Sequence, residues 1–536
     1  MLGRLWSWRE ERVGTHWRRA TFCVSSVSWG VLAEPMKHCR SLASFSRLTR
    51  WRFFAGLAAL AFLEPCVFGA SADGLRLLPP MPLSDGGLQL VVASVDERPL
   101  ASDRAVRISV LATSGISTPP GDWSPLADAG TLADGVLRFS QPPEVTANSD
   151  WFFVAHETAL PPAVTVNNAN ELRAAVNGAV PGVRILVAPG VYPGGYYFND
   201  VRGEQGLPIV IAGLEPADPP VIQGGLNGIQ FSNPAWLELA DLVFVGATGN
   251  GLNIDDGGGF NTPARYITLR RIRVTDVGPE GNRDGIKLSG VADFRVEDCV
   301  VERWGTGGSA VDMVGCHRGV IEGSVFRHGP AAAAAGANAI QTKGGTSDIV
   351  IRRNRFEQAG ARSLNMGGST GLNLFRPPLV PGEEHAEARN IRVEGNTFIG
   401  STAPVAFVGV DGAVVRFNTI YRPERWAVRI LQETTAPGFL PCRNGVFTDN
   451  IVAFNSSQWF SGGVNIGANT APETFEFARN WWYCVDDPAQ SQPVLPTPET
   501  AGVYGQSPLF RDAANGDLRL RPESPASAYG ADALPE

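Results

Sequence analysis

Apolar residues fall on alternate positions in a series of short segments in the second half of the chain. The segments are Leu252-Asn253-Ile254-Asp255, Ile286-Lys287-Leu288-Ser289, Val311-Asp312-Met313-Val314, Ile340-Gln341-Thr342-Lys343, Leu364-Asn365-Met366-Gly367, Val405-Ala406-Phe407-Val408 and Val428-Arg429-Ile430-Leu431. A period of two predicts strands whose first and third residues face a core and whose second and fourth face out. A second pattern, apolar-x-x-(small, Asn or apolar)-x-apolar, starts at Leu239, Leu269, Val296, Ile321, Ile351, Val393, Val415, Phe447 and Phe477. These starts lie 30, 27, 25, 30, 42, 22, 32 and 30 residues apart. Repeats of this length, built of strands and turns with no helical pattern between them, predict a solenoid.

The fourth position of the second pattern sharpens the prediction. From the third copy on it reads Cys299, Ser324, Asn354, Asn396, Asn418, Asn450 and Asn480. An isolated buried asparagine is costly, whereas a stack of them can satisfy one another and the turn backbone. The fold expected is all-β, a right-handed parallel β-helix. Its outer face would carry a column of Asn253, Lys287, Asp312, Gln341, Asn365, Ala406 and Arg429. Beside it would run Asp255, Ser289, Val314, Lys343, Gly367, Val408 and Leu431. Polar chemistry is concentrated in the middle rungs.

The ends of the solenoid are legible too. A strand at Val164-Thr165-Val166 leads to a short helix, N-capped by Asn168 or Asn170, with Leu172, Ala175 and Val176 as its apolar stripe. Such a helix would cover an open sheet end. The 42-residue interval holds an insertion, roughly 369–389, expected to wall one side of a groove. The last residues, 507–526, are expected to form a closing cap. Ahead of the solenoid, short β-like runs such as Leu88–Val92, Val106–Val110 and Trp151–Val154 predict a small β-rich domain, a sandwich or an elaborated cap.

Composition narrows the class. Charged residues are 18% and hydrophobics 44% of 536 residues, with Gly 61 and Pro 40, which describes a globular, turn-rich protein. A net charge of -8, with ten of the 45 Lys and Arg residues in the first 52 positions, argues against a nucleic-acid partner. Lys37, Arg40, Arg47, Arg50 and Arg52 precede the apolar run Phe53–Leu63 and the small-residue site Ala70-Ser71-Ala72. That order describes a signal peptide starting at Met36, cleaved near Ala72, with residues 1–35 an over-extended start. The domains expected are therefore 1–72 (start and signal), 73–160 (β-rich) and 161–536 (β-helix). The mature chain would be secreted or periplasmic, monomeric and free of the membrane. Export permits disulfides, and Cys442 with Cys484 is the candidate pair; Cys299 reads as a buried thiol.

Residues Val164 to Asn396 resemble the alginate lyase and chondroitinase B family of polysaccharide lyases. Leu172-Arg173-Ala174-Ala175, Pro181-Gly182 and Gly190-Val191-Tyr192 are similar to that family's opening. Asn282-Arg283-Asp284-Gly285-Ile286-Lys287-Leu288-Ser289-Gly290 is similar to its Asn-Gly-x-Glu-x-Ile-Arg-x-Gly segment, and Ile340-Gln341-Thr342-Lys343 to the segment with its catalytic lysine. The resemblance implies β-elimination on an acidic, uronate-containing polysaccharide, with Lys343 as base. Two positions depart from the family. Asn365 stands where a catalytic arginine is expected one rung on, and Gly336-Ala337-Asn338-Ala339 replaces the acidic residues of the calcium site.

β-Elimination needs the uronate carboxylate neutralised, a base for the C5 proton and an acid for the leaving oxygen. A lysine serves as base when desolvation or nearby cations favour its amine form. Lys343, Arg362 and Asn365 are thus the candidate catalytic residues, with Arg362 or Arg376 in place of the missing arginine. Lys287, Asp312, Gln341, Arg376 and Arg429 are the candidate substrate-binding residues. Asp284 is the candidate ligand should calcium be used, with Asp312 beside it. A hydrolase needs clustered carboxylates, and Asp255, Asp284 and Asp312 are spread over three rungs. A C5-epimerase or a non-catalytic glycan-binding protein are the other readings of this fold.

Overall fold

A computed structural model describes residues 160–535 apart from Pro279 and 330–335; ahead of these it describes segments of 74–158 and two strands at Phe22–Ser26 and Ser46–Trp51. The apolar run Phe53–Leu63 and the Ala70-Ser71-Ala72 site lie outside the described residues. No described helix is long and apolar enough to cross a membrane.

The chain forms two compact units, 1–159 and 160–536. The first holds two sheets, one built on Leu88–Ser94 and Val136–Gln141, the other on Ile108–Thr113 and Trp151–Glu157. Leu90, Val92, Val110, Phe139 and Phe153 share one core. The strand predicted from Val106 begins at Ile108, because Ser102–Ala105 forms a helical turn just before it.

The second unit is a right-handed parallel β-helix. Three parallel sheets of 12, 12 and 10 strands run its length. A full coil contributes one strand to each sheet, for example Asn338–Lys343, Thr346–Arg352 and Arg355–Glu357. Leu252, Ile286, Val311, Ile340, Leu364, Val405 and Val428 stack inside, as the alternation predicts. The helix Ala169–Asn177 covers the first coil, with Leu172 and Val176 buried and Asn168 as its N-cap.

The asparagine stack forms at the corner after each strand of the first sheet. Asn354, Asn396, Asn418 and Asn450 each give side-chain and backbone N–H bonds of 2.9–3.0 Å to the next asparagine's Oδ1. Ser324 begins the run and Glu499 closes it by accepting from Asn480. The final cap differs from expectation. Residues 485–505 turn over the last coil, with Leu495 and Trp459 packed on its core. The segment after them returns along the side: Gly530 N–H donates to Asp449 O and Ala531 N–H to Thr419 Oγ1. Leu520 and Ala526 pack on Ile451 and Trp481 from the outer, apolar face of the second sheet, so burial there competes with burial at the end.

All four cysteines of the β-helix, Cys299, Cys316, Cys442 and Cys484, are buried free thiols. The pairing expected of Cys442 and Cys484 is not formed. Burial pushes the Cys299 and Cys316 thiols up to about 12, so they act as small apolar side chains.

Candidate active site

The ten-stranded sheet presents the predicted column in the predicted register. Asn253 pairs with Lys287, Lys287 with Asp312, Asp312 with Gln341, Gln341 with Asn365, Asn365 with Ala406 and Ala406 with Arg429. Period-two alternation admits only this register, since a one-residue slip would turn Ile340 and Leu364 outward.

At the centre lies Asp312, fully buried although its position faces out. Two lysines from neighbouring rungs close over it. Lys287 Nζ binds Asp312 Oδ2, and Lys343 Nζ lies 3.2 Å from Oδ1. Oδ1 receives no well-directed hydrogen bond even so, and keeps a lone pair free. Lys343 Nζ also donates to Gln341 Oε1 at 3.3 Å. Lys287 is 3.3 Å from Asp284 Oδ2, and Asp284 Oδ1 accepts the Ser309 N–H at 2.8 Å. Two lysines thus meet two aspartates. Burial would lower the Lys287 pKa, but Asp312 and Asp284 outweigh it and hold it above the ordinary lysine value. Burial raises the Asp284 carboxyl, and Asp312 adds to that, with Lys287 opposing.

This arrangement does not suit Asp284 as a metal ligand. One oxygen is taken by a backbone N–H and the other faces an ammonium, which would repel a cation. No group of three or more His, Cys, Asp or Glu residues among the described residues is placed to hold a metal ion.

One rung on, Arg362 answers the question that Asn365 raises. Its Nη1 donates to Asn365 Oδ1 at 2.8 Å and to Glu433 Oε1 at 2.8 Å. A guanidinium is therefore delivered onto the amide one rung beyond Gln341, from three residues earlier in the same strand. Arg429 stands two rungs beyond Asn365, its Nε donating to Asn465 Oδ1 at 2.9 Å.

Arg376 is not on the open face, contrary to expectation. It is buried and bidentate to Asp256, at 2.6 and 3.1 Å, with its guanidinium 4.1 Å from the centre of the Phe260 ring. The insertion runs down the corner of the helix from the 362–367 rung to the residue after the 252–255 strand. It can do so because that corner is lined by Gly290, Gly315 and Gly345; a Cβ on Gly315, whose φ is +61°, would lie 2.3 Å from Arg376 Cβ. Arg376 is thus the foot of a wall. The head of that wall is Glu387, a fully buried carboxylate that no repeat pattern marks. It accepts from the N–H groups of Gly344 and Thr370 and the hydroxyls of Thr370 and Thr434. Gly344 directly follows Lys343, so Glu387 ties the wall to the site.

His317 supports the same wall. Its Nε2 bonds Arg376 O at 3.2 Å and its Nδ1 meets Ser347 Oγ at 3.0 Å. Burial pushes the imidazole below its ordinary value, Arg318 adding to the shift and the bond to Arg376 opposing it. A depressed folded value means that the unfolded chain takes up the proton first. The His317 contribution is therefore complete above 6.5 and is lost as pH falls through the lower folded value. We expect the thermal midpoint of the wild type to fall more steeply on acidification below 6.5 than that of His317→Gln. Parallel profiles would show that His317 does not anchor the wall.

No protein-family model and no curated relative matches the sequence. Among solved structures the chain is similar to an alginate lyase from Paenibacillus sp. str. FPU-7, at 16% identity over 58% of this chain and 98% of that one, with a TM-score of 0.39. It is also similar to a PL6 family polysaccharide lyase from Pseudopedobacter saltans, at 14% identity over 69% and 99%, TM-score 0.42. A GH136 lacto-N-biosidase from Eubacterium ramulus matches at 12% identity over 64% and 66%, TM-score 0.34.

Proposed function

We propose that this chain is an exported polysaccharide lyase that cleaves a uronate-containing glycan by β-elimination. The observation that carries the reading is the arrangement around Lys343. The lysine lies beside a buried carboxylate and bonds Gln341, whose neighbour on the next rung, Asn365, holds a guanidinium. Arg362, held by the buried Asn365 and by Glu433, receives the uronate carboxylate, which makes the C5 proton easier to remove. Lys343, in its amine form, takes that proton; the C4–O bond breaks as the C4=C5 double bond forms, and the Lys343 ammonium returns its proton to the leaving oxygen. Asp312 Oδ1, with its free lone pair, accepts the ammonium that forms, while Lys287 holds the other oxygen and keeps Asp312 fixed. Gln341 orients the amine.

A hydrolase is less well served. Asp312 is buried under two lysines, Asp284 is buried with Lys287, and Asp255 accepts from Gln230, Ser232 and Asn253. None of these carboxylates is free to attack or to activate water on an adjacent rung.

The test is incubation with alginate, pectate, chondroitin sulfate and dermatan sulfate. We expect one of them to give the ultraviolet absorbance of a conjugated unsaturated uronate. New reducing ends without that absorbance would mean hydrolysis, and binding without chemistry would mean a glycan-binding protein; either result ends the lyase reading.

A further inference from the structure

Beyond Asn365 the open face changes character. Ala406 occupies the next rung, small and buried, and Arg429 the one after. Beside Arg429 stands the Trp426 indole, with Arg429 Cζ 4.8 Å and Arg425 Cζ 4.4 Å from the ring centre. Arg425 Cζ is also 4.5 Å from the Phe460 ring. Neither Arg425 nor Arg429 has a carboxylate within ion-pair distance among the described residues. Burial and the nearby Arg362 press the Arg429 guanidinium below the ordinary arginine value. This corner therefore sets three guanidiniums, Arg362, Arg425 and Arg429, against the one nearby carboxylate of Glu433, which pairs with Arg362, whereas the Asp312 cluster is balanced.

Phe460 is placed there by its neighbour. Trp459 stacks on Phe454 at 3.5 Å and packs against the last coils, near Trp482. With Trp459 turned inward, Phe460 faces out and is 54% exposed. Its backbone N–H donates to Arg425 O at 3.1 Å, which ties the loop to the platform. The Trp426 indole N–H is buried there without a hydrogen-bond partner. An exposed ring edged by the Arg425 guanidinium, with Arg429 across the Trp426 indole and neither arginine in an ion pair among the described residues, suits a ligand with an apolar ring face and a negative group.

We propose that Phe460, Arg425 and Arg429 form a distal subsite for an acidic pyranose, with Phe460 stacked on the sugar ring and the two arginines on its anionic group. The proposal rests on the open face being a uronan-binding groove. Arg429 lies three rungs from Gln341, about 14 Å by rung spacing, so only a chain of several sugars reaches both the subsite and Lys343.

Calorimetric titration of the full chain carrying Lys343→Ala tests this, because bound glycan is then not consumed. The probes are di- and tetrasaccharides of alginate, pectate and chondroitin sulfate, with cellotetraose as the neutral control. We expect an acidic tetrasaccharide to bind, and Phe460→Ala or Arg425→Ala to weaken it about tenfold while leaving the disaccharide unchanged. Phe460→Tyr should restore binding, and unchanged thermal midpoints will show that the variants fold. Equal tetrasaccharide affinity with and without Phe460, equal binding of cellotetraose, or no acidic tetrasaccharide binding would each overturn the subsite. The two readings separate cleanly. Unsaturated product with no dependence on Phe460 keeps the lyase and removes the subsite; Phe460-dependent binding without product in the wild type does the reverse.

Discussion

Replacing Lys343 by alanine is expected to lower the formation of unsaturated product by about 10²- to 10⁴-fold, the usual range for loss of a positioned general base. Alanine alone does not separate proton transfer from charge. Lys343→Arg does, because a guanidinium keeps the attraction to Asp312 yet does not give up its proton at working pH. Both variants should fold, since Lys287 still holds Asp312 Oδ2. The loss should appear in kcat more than in KM, as it does when an interaction made mainly in the transition state is removed. Full activity in Lys343→Ala would show that the base is elsewhere. Full activity in Lys343→Arg would show that the residue supplies charge only. Arg362→Ala gives the complementary result if the carboxylate is held at Arg362, with KM rising as well.

The second large effect concerns stability. Asn396 Oδ1 accepts from the Asn354 N–H and Nδ2, and its own Nδ2 donates to Ile351 O, Glu394 O and Asn418 Oδ1. Asn396→Leu removes all five bonds and strands buried groups on three coils. Each orphaned group costs about 1–3 kcal/mol, and because the coils can relax in part, the net loss should be about 3–5 kcal/mol. Ser324→Ala, at the start of the ladder, removes one bond to the Cys299 N–H and one to Glu322 O and should cost about 1–2 kcal/mol. Urea denaturation checks both. A loss below about 1 kcal/mol for Asn396→Leu would mean that shape, not hydrogen bonding, holds the corner. Repeat folds unfold by units, so the ladder variant should first melt the coils around Asn396 rather than the whole helix.

The residues that could be read in advance share one property: each sits in a repeat. The outward positions of Lys287, Asp312, Gln341, Asn365 and Arg429 follow from alternation, and their vertical order follows from stacking. The asparagines announce themselves because one residue type returns at one place in the pattern. Arg376 was misplaced for the opposite reason. It lies in an insertion, where no period constrains direction, and its partner Asp256 is 120 residues earlier. Glu387 gave no signal at all, since a lone glutamate in a loop is ordinarily solvated. The return of residues 506–535 along the second sheet depends on an apolar outer face at Ile451 and Trp481 that alternation alone would assign to solvent.

The amino-acid pattern by itself determined the β-helix, the rung register and the column that carries Lys343, because period-two burial leaves one register in which the core is apolar. Tertiary structure alone decided what surrounds that lysine. It buried Asp312 between two lysines, brought Arg362 onto Asn365 and turned Arg376 away from the groove into a clamp. These outcomes depend on where long side chains and loops find partners across coils, and such contacts are set by three-dimensional proximity and desolvation, which no local periodicity encodes.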